Sequence, residues 1–87
     1  MNRRDGKMIQ KTLSKMASKW PSAIVSRSDV GRFSGGMVSP KTMSNRDGLG
    51  LGPAGSFKIG SKVAYPVSEL IRWLKNRSSA IDRRMDA

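Results

Sequence analysis

The punctuation of residues 24–74 limits what this chain can become: Gly35-Gly36, Ser39-Pro40, a glycine-rich run from Gly48 to Gly55, Gly60 and Pro66 leave room only for short elements. Ser26 is placed to cap a first short helix over 26–33, with Asp29 three residues on bringing a carboxylate to the positive helix end and Val30 and Phe33 sharing the buried face. Gly35-Gly36 then supplies a tight turn. Ser39-Pro40 restarts a helix over 39–47, because serine accepts from unpaired backbone donors and proline tolerates the first helical position. Gly48 is expected to close it in a left-handed cap. Two short capped helices across a glycine turn follow helix-turn-helix grammar.

Downstream, Phe57, Ile59, Val63 and Tyr65 read as a β-hairpin around Gly60. A three-residue loop of Gly60, Ser61 and Lys62 sets all four apolar side chains on one face, with Lys58 on the outer face and Lys62 at the tip; a two-residue Gly60-Ser61 loop splits them. The three-residue register is expected because it buries the large side chains together. Pro66 starts the last helix, in which Val67, Leu70, Ile71 and Leu74 recur at i, i+3, i+4 and i+7. Upstream, residues 1–6 read as a flexible basic arm and residues 7–20 as an amphipathic helix, with Ile9, Leu13, Met16 and Trp20 along one stripe and Pro21 ending it. Lys7, Lys11, Lys15 and Lys19 form a row on another face, either a solvated surface or a set of phosphate contacts. The main domain is expected over 22–77. Residues 78–87 are a basic tail or a helix extension through Ala80, Ile81 and Met85.

Seventeen Lys and Arg against six acids give a formal charge of +11 in 87 residues, so nucleic acid is the first partner to test. The chain has neither cysteine nor histidine, which argues against a disulfide scaffold, a thiolate metal site and structural zinc; no metal or cofactor is expected. It offers no apolar run of membrane-spanning length and no signal-peptide core, so a cytoplasmic, nucleoid-associated protein without membrane contact is expected. Catalysis is not expected, since no general base or activated nucleophile stands out and the six carboxylates are scattered. Gly50-Leu51-Gly52-Pro53-Ala54-Gly55 formally reads G-x-G-x-x-G, but it lacks the flanking strand and helix of a dinucleotide site and is read as a connector. No small-molecule substrate is expected.

At 100° per residue, Lys41, Ser44 and Asn45 fall on one polar face of the second helix while Met43 points the other way. Asn pairs with adenine, Lys and Arg donate to guanine, and Ser meets base or backbone, so the face suits a DNA groove as well as it suits solvent. Thr42 and Arg46 lie along one flank, within reach of phosphate or a guanine edge, and the helix start at Ser39 adds a phosphate site. Trp20 and Trp73 are assigned to packing.

Taken together, Val38-Ser39-Pro40-Lys41-Thr42-Met43, Gly50-Leu51-Gly52-Pro53, the run from Phe57 to Pro66, and Val67-Ser68-Glu69-Leu70-Ile71-Arg72-Trp73-Leu74 resemble the winged helix-turn-helix of the MerR superfamily. The likeness is to the small form found in phage and mobile-element excisionases, or recombination directionality factors, and their AlpA-like relatives. Arg46 stands where relatives usually carry an apolar residue. The resemblance implies a mainly α fold with a small β-hairpin, here preceded by an extra N-terminal helix. It also implies that the second helix enters the major groove, with Lys41, Ser44 and Asn45 reading bases and the wing residues Lys58, Ser61 and Lys62 at the adjacent minor groove or backbone. Arg27, with its neighbours Ser26 and Ser28, would hold phosphate.

By the same resemblance, several copies would bind tandem sites on double-stranded DNA, bend it and help a separate integrase excise a mobile element. A transcription regulator on the same scaffold is the alternative. A basic RNA-binding protein is the third, and the scarcity of exposed aromatics counts against it.

Overall fold

A computed structural model describes the backbone of residues 3–79 and the side chains of residues 6–79. Within that span the fold is mixed α/β, with four α-helices and a three-stranded antiparallel sheet. The helices expected at the N-terminus, over 39–47 and after Pro66 are present, the one expected over 26–33 is reduced to four residues, and the β component is larger than a hairpin.

Helix α1 runs Arg3–Lys19, so it begins within the stretch assigned to a flexible arm. Arginine is a good helix former, and one glycine, Gly6, costs only about 1 kcal/mol relative to alanine, too little to delay the start. Its stripe of Leu13, Met16 and Ala17, continued by Trp20, packs against the core, and α1 lies along the last helix. Trp20 meets Phe33 edge-on at 5.4 Å and donates its indole N–H to the Ile24 carbonyl at 2.8 Å, which turns the chain into the sheet.

Strand β1, Ile24–Ser26, occupies the place where the first short helix was expected to start. It is followed by a single 3-10 turn, Arg27–Asp29, and the four-residue α2, Val30–Phe33. Ser26 is extended and caps nothing; its hydroxyl is 3.0 Å from that of Ser28. The cause is long-range: Val25 pairs with Tyr65, and the β-branched Ile24-Val25 pair gains a partner strand that local capping could not match.

Helix α3, Pro40–Gly48, starts as expected, with the Thr42 N–H donating to Ser39 Oγ at 3.1 Å. It ends differently. Gly50, with φ +74°, is the left-handed residue: its N–H donates to the Asp47 carbonyl and the Leu51 N–H to the Arg46 carbonyl, the paired bonds of a Schellman cap. Gly48 remains helical.

Strands β2, Phe57–Ile59, and β3, Lys62–Pro66, complete a sheet of order β1-β3-β2. The pairs Phe57–Ala64, Lys58–Val63 and Ile59–Lys62 leave a two-residue Gly60-Ser61 loop, not the three-residue one. Gly60 has φ +65° and Ser61 an ordinary negative φ, the glycine-first chemistry of a two-residue hairpin turn. Turn geometry thus overrides burial: Val63 and Tyr65 face one way, while Phe57 and Ile59 face the other, 44% and 59% exposed. Pro66 ends β3, and helix α4 runs Val67–Asn76.

Val25, Val30, Phe33, Met43, Tyr65, Leu70, Ile71 and Leu74 form one buried cluster to which every helix and two of the strands contribute directly or by packing. Ser78 and Ser79 follow α4 without helix. The extension through Ala80, Ile81 and Met85 and the first two residues of the arm lie outside the described residues. Among the described residues no helix is long and apolar enough to cross a membrane.

Met43 is fully buried at the centre of α3. Met43→Ala should lower the unfolding free energy by about 2–5 kcal/mol in denaturant titrations, whereas Lys41→Ala on the exposed face should change it by no more than about 0.5 kcal/mol.

Candidate nucleic-acid interface

Because Met43 is sunk into the core, the opposite side of α3 is turned outward, and Lys41, Ser44 and Asn45 are all exposed there. Arg46 and Thr42 are half-buried on the flanks. Ser39 has a structural duty. Its Oγ accepts from the Thr42 N–H and donates to Thr42 Oγ1 at 3.0 Å, so the helix start is already capped by its own side chain. Thr42 retains its own hydroxyl proton to donate.

The far end of α3 is held by a three-way contact. Arg27 Nη2 donates to Asp47 Oδ2 at 2.7 Å, Tyr65 donates its hydroxyl proton to the same oxygen at 2.6 Å, and Arg27 Nε donates to the Tyr65 hydroxyl oxygen at 3.0 Å. The contact joins the 3-10 turn, α3 and β3. The hydrogen bonds to Tyr65 first and Asp47 second raise the Arg27 pKa above its ordinary value. Burial, and then the Asp47 carboxylate, push the Tyr65 hydroxyl upward as well. The expected phosphate group around Arg27 is therefore differently employed: Arg27 is bound to Asp47, and the Ser26 and Ser28 hydroxyls meet each other.

Sequence reading missed Asp47 and Tyr65 as partners. A lone acid on a helix otherwise marked for an anion was the available signal, since such a carboxylate needs a cation beside it. Gly52 belongs to the same arrangement. A Cβ built there would collide with Asp47 Oδ1 and lie 2.9 Å from its Cγ, so the loop backbone presses directly on the carboxylate. One residue earlier, the Trp73 indole N–H donates to the Leu51 carbonyl at 2.8 Å, tying the loop to α4.

The hairpin carries Lys58, Ser61 and Lys62, all exposed. In the observed register Lys58 shares a face with Val63 and Lys62 shares the other with Ile59, so the two lysines flank the hairpin on opposite sides. Lys62 is only three residues from Tyr65, about 10 Å along the strand, which ties the hairpin to the same anchor as α3.

Charge is distributed unevenly between fold and surface. Each acid among the described side chains is paired: Asp47 with Arg27, Asp29 with Arg32 at 3.7 Å, and Glu69 with Arg72 at 3.9 Å. Arg32 also lies over the Trp20 ring and Arg77 over the Trp73 ring, which gives both tryptophans the packing role expected of them. No ion pair joins Lys41, Arg46, Lys58, Lys62 or the α1 lysines to a described acid. Compared with known proteins, the chain matches no family model, no curated protein and no solved structure.

Tyr65 is the single tyrosine, and its folded pKa is raised, so its contribution to stability is complete below the ordinary value near 10 and is lost as pH rises through that value toward the folded one. Ultraviolet titration should show tyrosinate forming above the ordinary range, with the melting temperature falling once pH passes about 10. Tyrosinate at the ordinary value in folded protein would contradict the buried hydroxyl. Separately, Gly52→Ala should destabilise by about 1–3 kcal/mol, because the methyl group must push Asp47 off its two donors. In an Asp47→Ala background the same change should cost much less, and equal costs would disprove the contact.

Proposed function

We propose that this protein is a sequence-specific, double-stranded-DNA-binding protein of the winged helix-turn-helix type, acting as an architectural excisionase-like factor. The 3-10 turn with α2 serves as the first helix of the motif, α3 as the recognition helix, and the β2–β3 hairpin as the wing. One observation carries the reading: α3 buries Met43 and turns Lys41, Ser44 and Asn45 outward on a helix fixed at both ends, with a cationic hairpin anchored through the same Asp47–Tyr65 contact.

On this reading α3 enters the major groove. Asn45 pairs with a base edge, Lys41 and Ser44 contact base or backbone, and Arg46 and Thr42 reach phosphate along the flank. Lys58, Ser61 and Lys62 meet the neighbouring backbone or minor groove. Arg27 acts indirectly, by holding α3. The protein breaks no bond itself; it binds adjacent sites and bends DNA for a separate integrase.

A transcription regulator on the same scaffold uses the identical contacts and differs in its sites. Tandem sites with bending belong to the first reading and a single palindromic operator to the second. An RNA reader needs several exposed rings for stacking, and here guanidinium groups lie over both tryptophan rings and Phe33 and Tyr65 are buried, which leaves Phe57 on the hairpin as the exposed ring.

Gel-shift titration on DNA flanking the gene's own attachment site, against a scrambled duplex in rising salt, tests the proposal. If five to seven phosphates are neutralised, log affinity should fall against log salt with a slope of about −5 to −6. Asn45→Ala should cost about 1–3 kcal/mol on the cognate duplex and little on the scrambled one, whereas Lys62→Ala should weaken both alike. Equal loss on both duplexes for Asn45→Ala removes its reading role, and a flat salt response removes the electrostatic case.

A further inference from the structure

Helix α1 carries a second cationic face that the contacts of α3 and the hairpin leave unused. Lys7, Lys11, Lys15 and Lys19 are all exposed and each stands four residues from the next. In helical geometry they rise about 6 Å per step, cover about 18 Å of axis and sweep about 120° of the circumference. Leu13, Met16 and Ala17, with Trp20 beyond them, occupy the opposite arc and are packed on the core. The row therefore points away from the body.

The row is also unbalanced. Two exposed arginines elsewhere have an acid three residues earlier, Asp29 for Arg32 and Glu69 for Arg72. From Lys7 to Lys19 there is no acid at all. Three successive like-charge pairs at i, i+4 each oppose helix formation by a few tenths of a kcal/mol, a strain that a bound polyanion relieves.

We propose that this face is a second phosphate-binding surface, in which α1 lies along a line of backbone phosphodiesters outside the site read by α3. A rigid row of evenly spaced charges matches a rigid, evenly charged strand, and 18 Å covers about five base-pair steps. A membrane surface fits less well, because an interfacial helix needs its apolar face free and that of α1 is occupied by the body. The phosphates belong either to the flank of the same duplex or to a second one brought alongside.

The test replaces Lys7, Lys11, Lys15 and Lys19 by Gln together, with Arg72→Gln plus Lys75→Gln on α4 as a control for net charge. An all-arginine replacement of the row serves as rescue. Removing the repulsion should leave the far-ultraviolet circular dichroism unchanged or more helical. If the phosphates lie on the flank, the salt slope of the Gln variant should fall by about 3 to 4 on a site with extended flanks and hardly at all on a trimmed site. If they lie on a second duplex, wild-type protein should bring two differently labelled duplexes together and the Gln variant should not. In either case the arginine version behaves as wild type, and the ratio of cognate to scrambled affinity is unchanged.

A slope that falls no more per charge than in the α4 control, without loss of bridging, overturns the proposal. So does a row that matters only for anionic phospholipid vesicles. The inference takes its nucleic-acid partner from the preceding reading, yet the two fail separately: Asn45→Ala losing selectivity while the row variant is inert sinks only this one. A wild-type chain that ignores DNA sinks both.

Discussion

The Asp47 carboxylate is the point on which the architecture turns. A single oxygen receives a guanidinium and a phenol from two other segments, so the 3-10 turn, α3 and β3 are referenced to one another through it. Apolar packing alone would let a nine-residue helix, anchored in the core by one methionine, rock about its axis. A partly buried, charge-assisted bond at its C-terminal end removes that freedom, and the Schellman cap and the close approach of Gly52 hold the following loop against it. Met43 beneath turns the α3 face outward and strand pairing places the hairpin, while this lock joins the end of α3 to the 3-10 turn and to β3.

The lock also uses one of the six acids in a chain of charge +11. Self-repulsion opposes compaction, and each acid among the described side chains stands beside an arginine. Asp47 is spent inside the fold, and Asp29 and Glu69 sit beside arginines on α2 and α4. The lysines of α1, α3 and the hairpin are left without such partners among the described acids. Positive charge is thereby collected on surfaces that have no role in holding the chain together.

Features encoded locally were legible in the sequence. Ser39-Pro40 fixes the start of α3 because cap and first turn lie within four residues, and the i, i+3, i+4, i+7 pattern of Val67 to Leu74 announces α4 without reference to the rest of the chain. Long-range features were not. Strand β1 exists because Val25 finds Tyr65 forty residues away, and nothing near Ser26 distinguishes that outcome from a helix cap. The hairpin register was open to two readings, and maximal burial pointed to the wrong one. The Gly60-Ser61 turn sets the pairing, and the sheet tolerates Phe57 and Ile59 in solvent. At the candidate interface, the exposed trio on α3 followed from helical geometry alone. The employment of Arg27 as an internal clamp required knowing which residues come to lie beside it.

Lys41, Ser44 and Asn45 project from a helix whose hold on the body runs through other side chains: Met43 beneath, Asp47 at one end and Ser39 at the other. Exchanging any of the three leaves packing, capping and clamp untouched. Substitution at these three positions can therefore change the size, charge and hydrogen-bonding groups of the outward face while the body beneath it stands still.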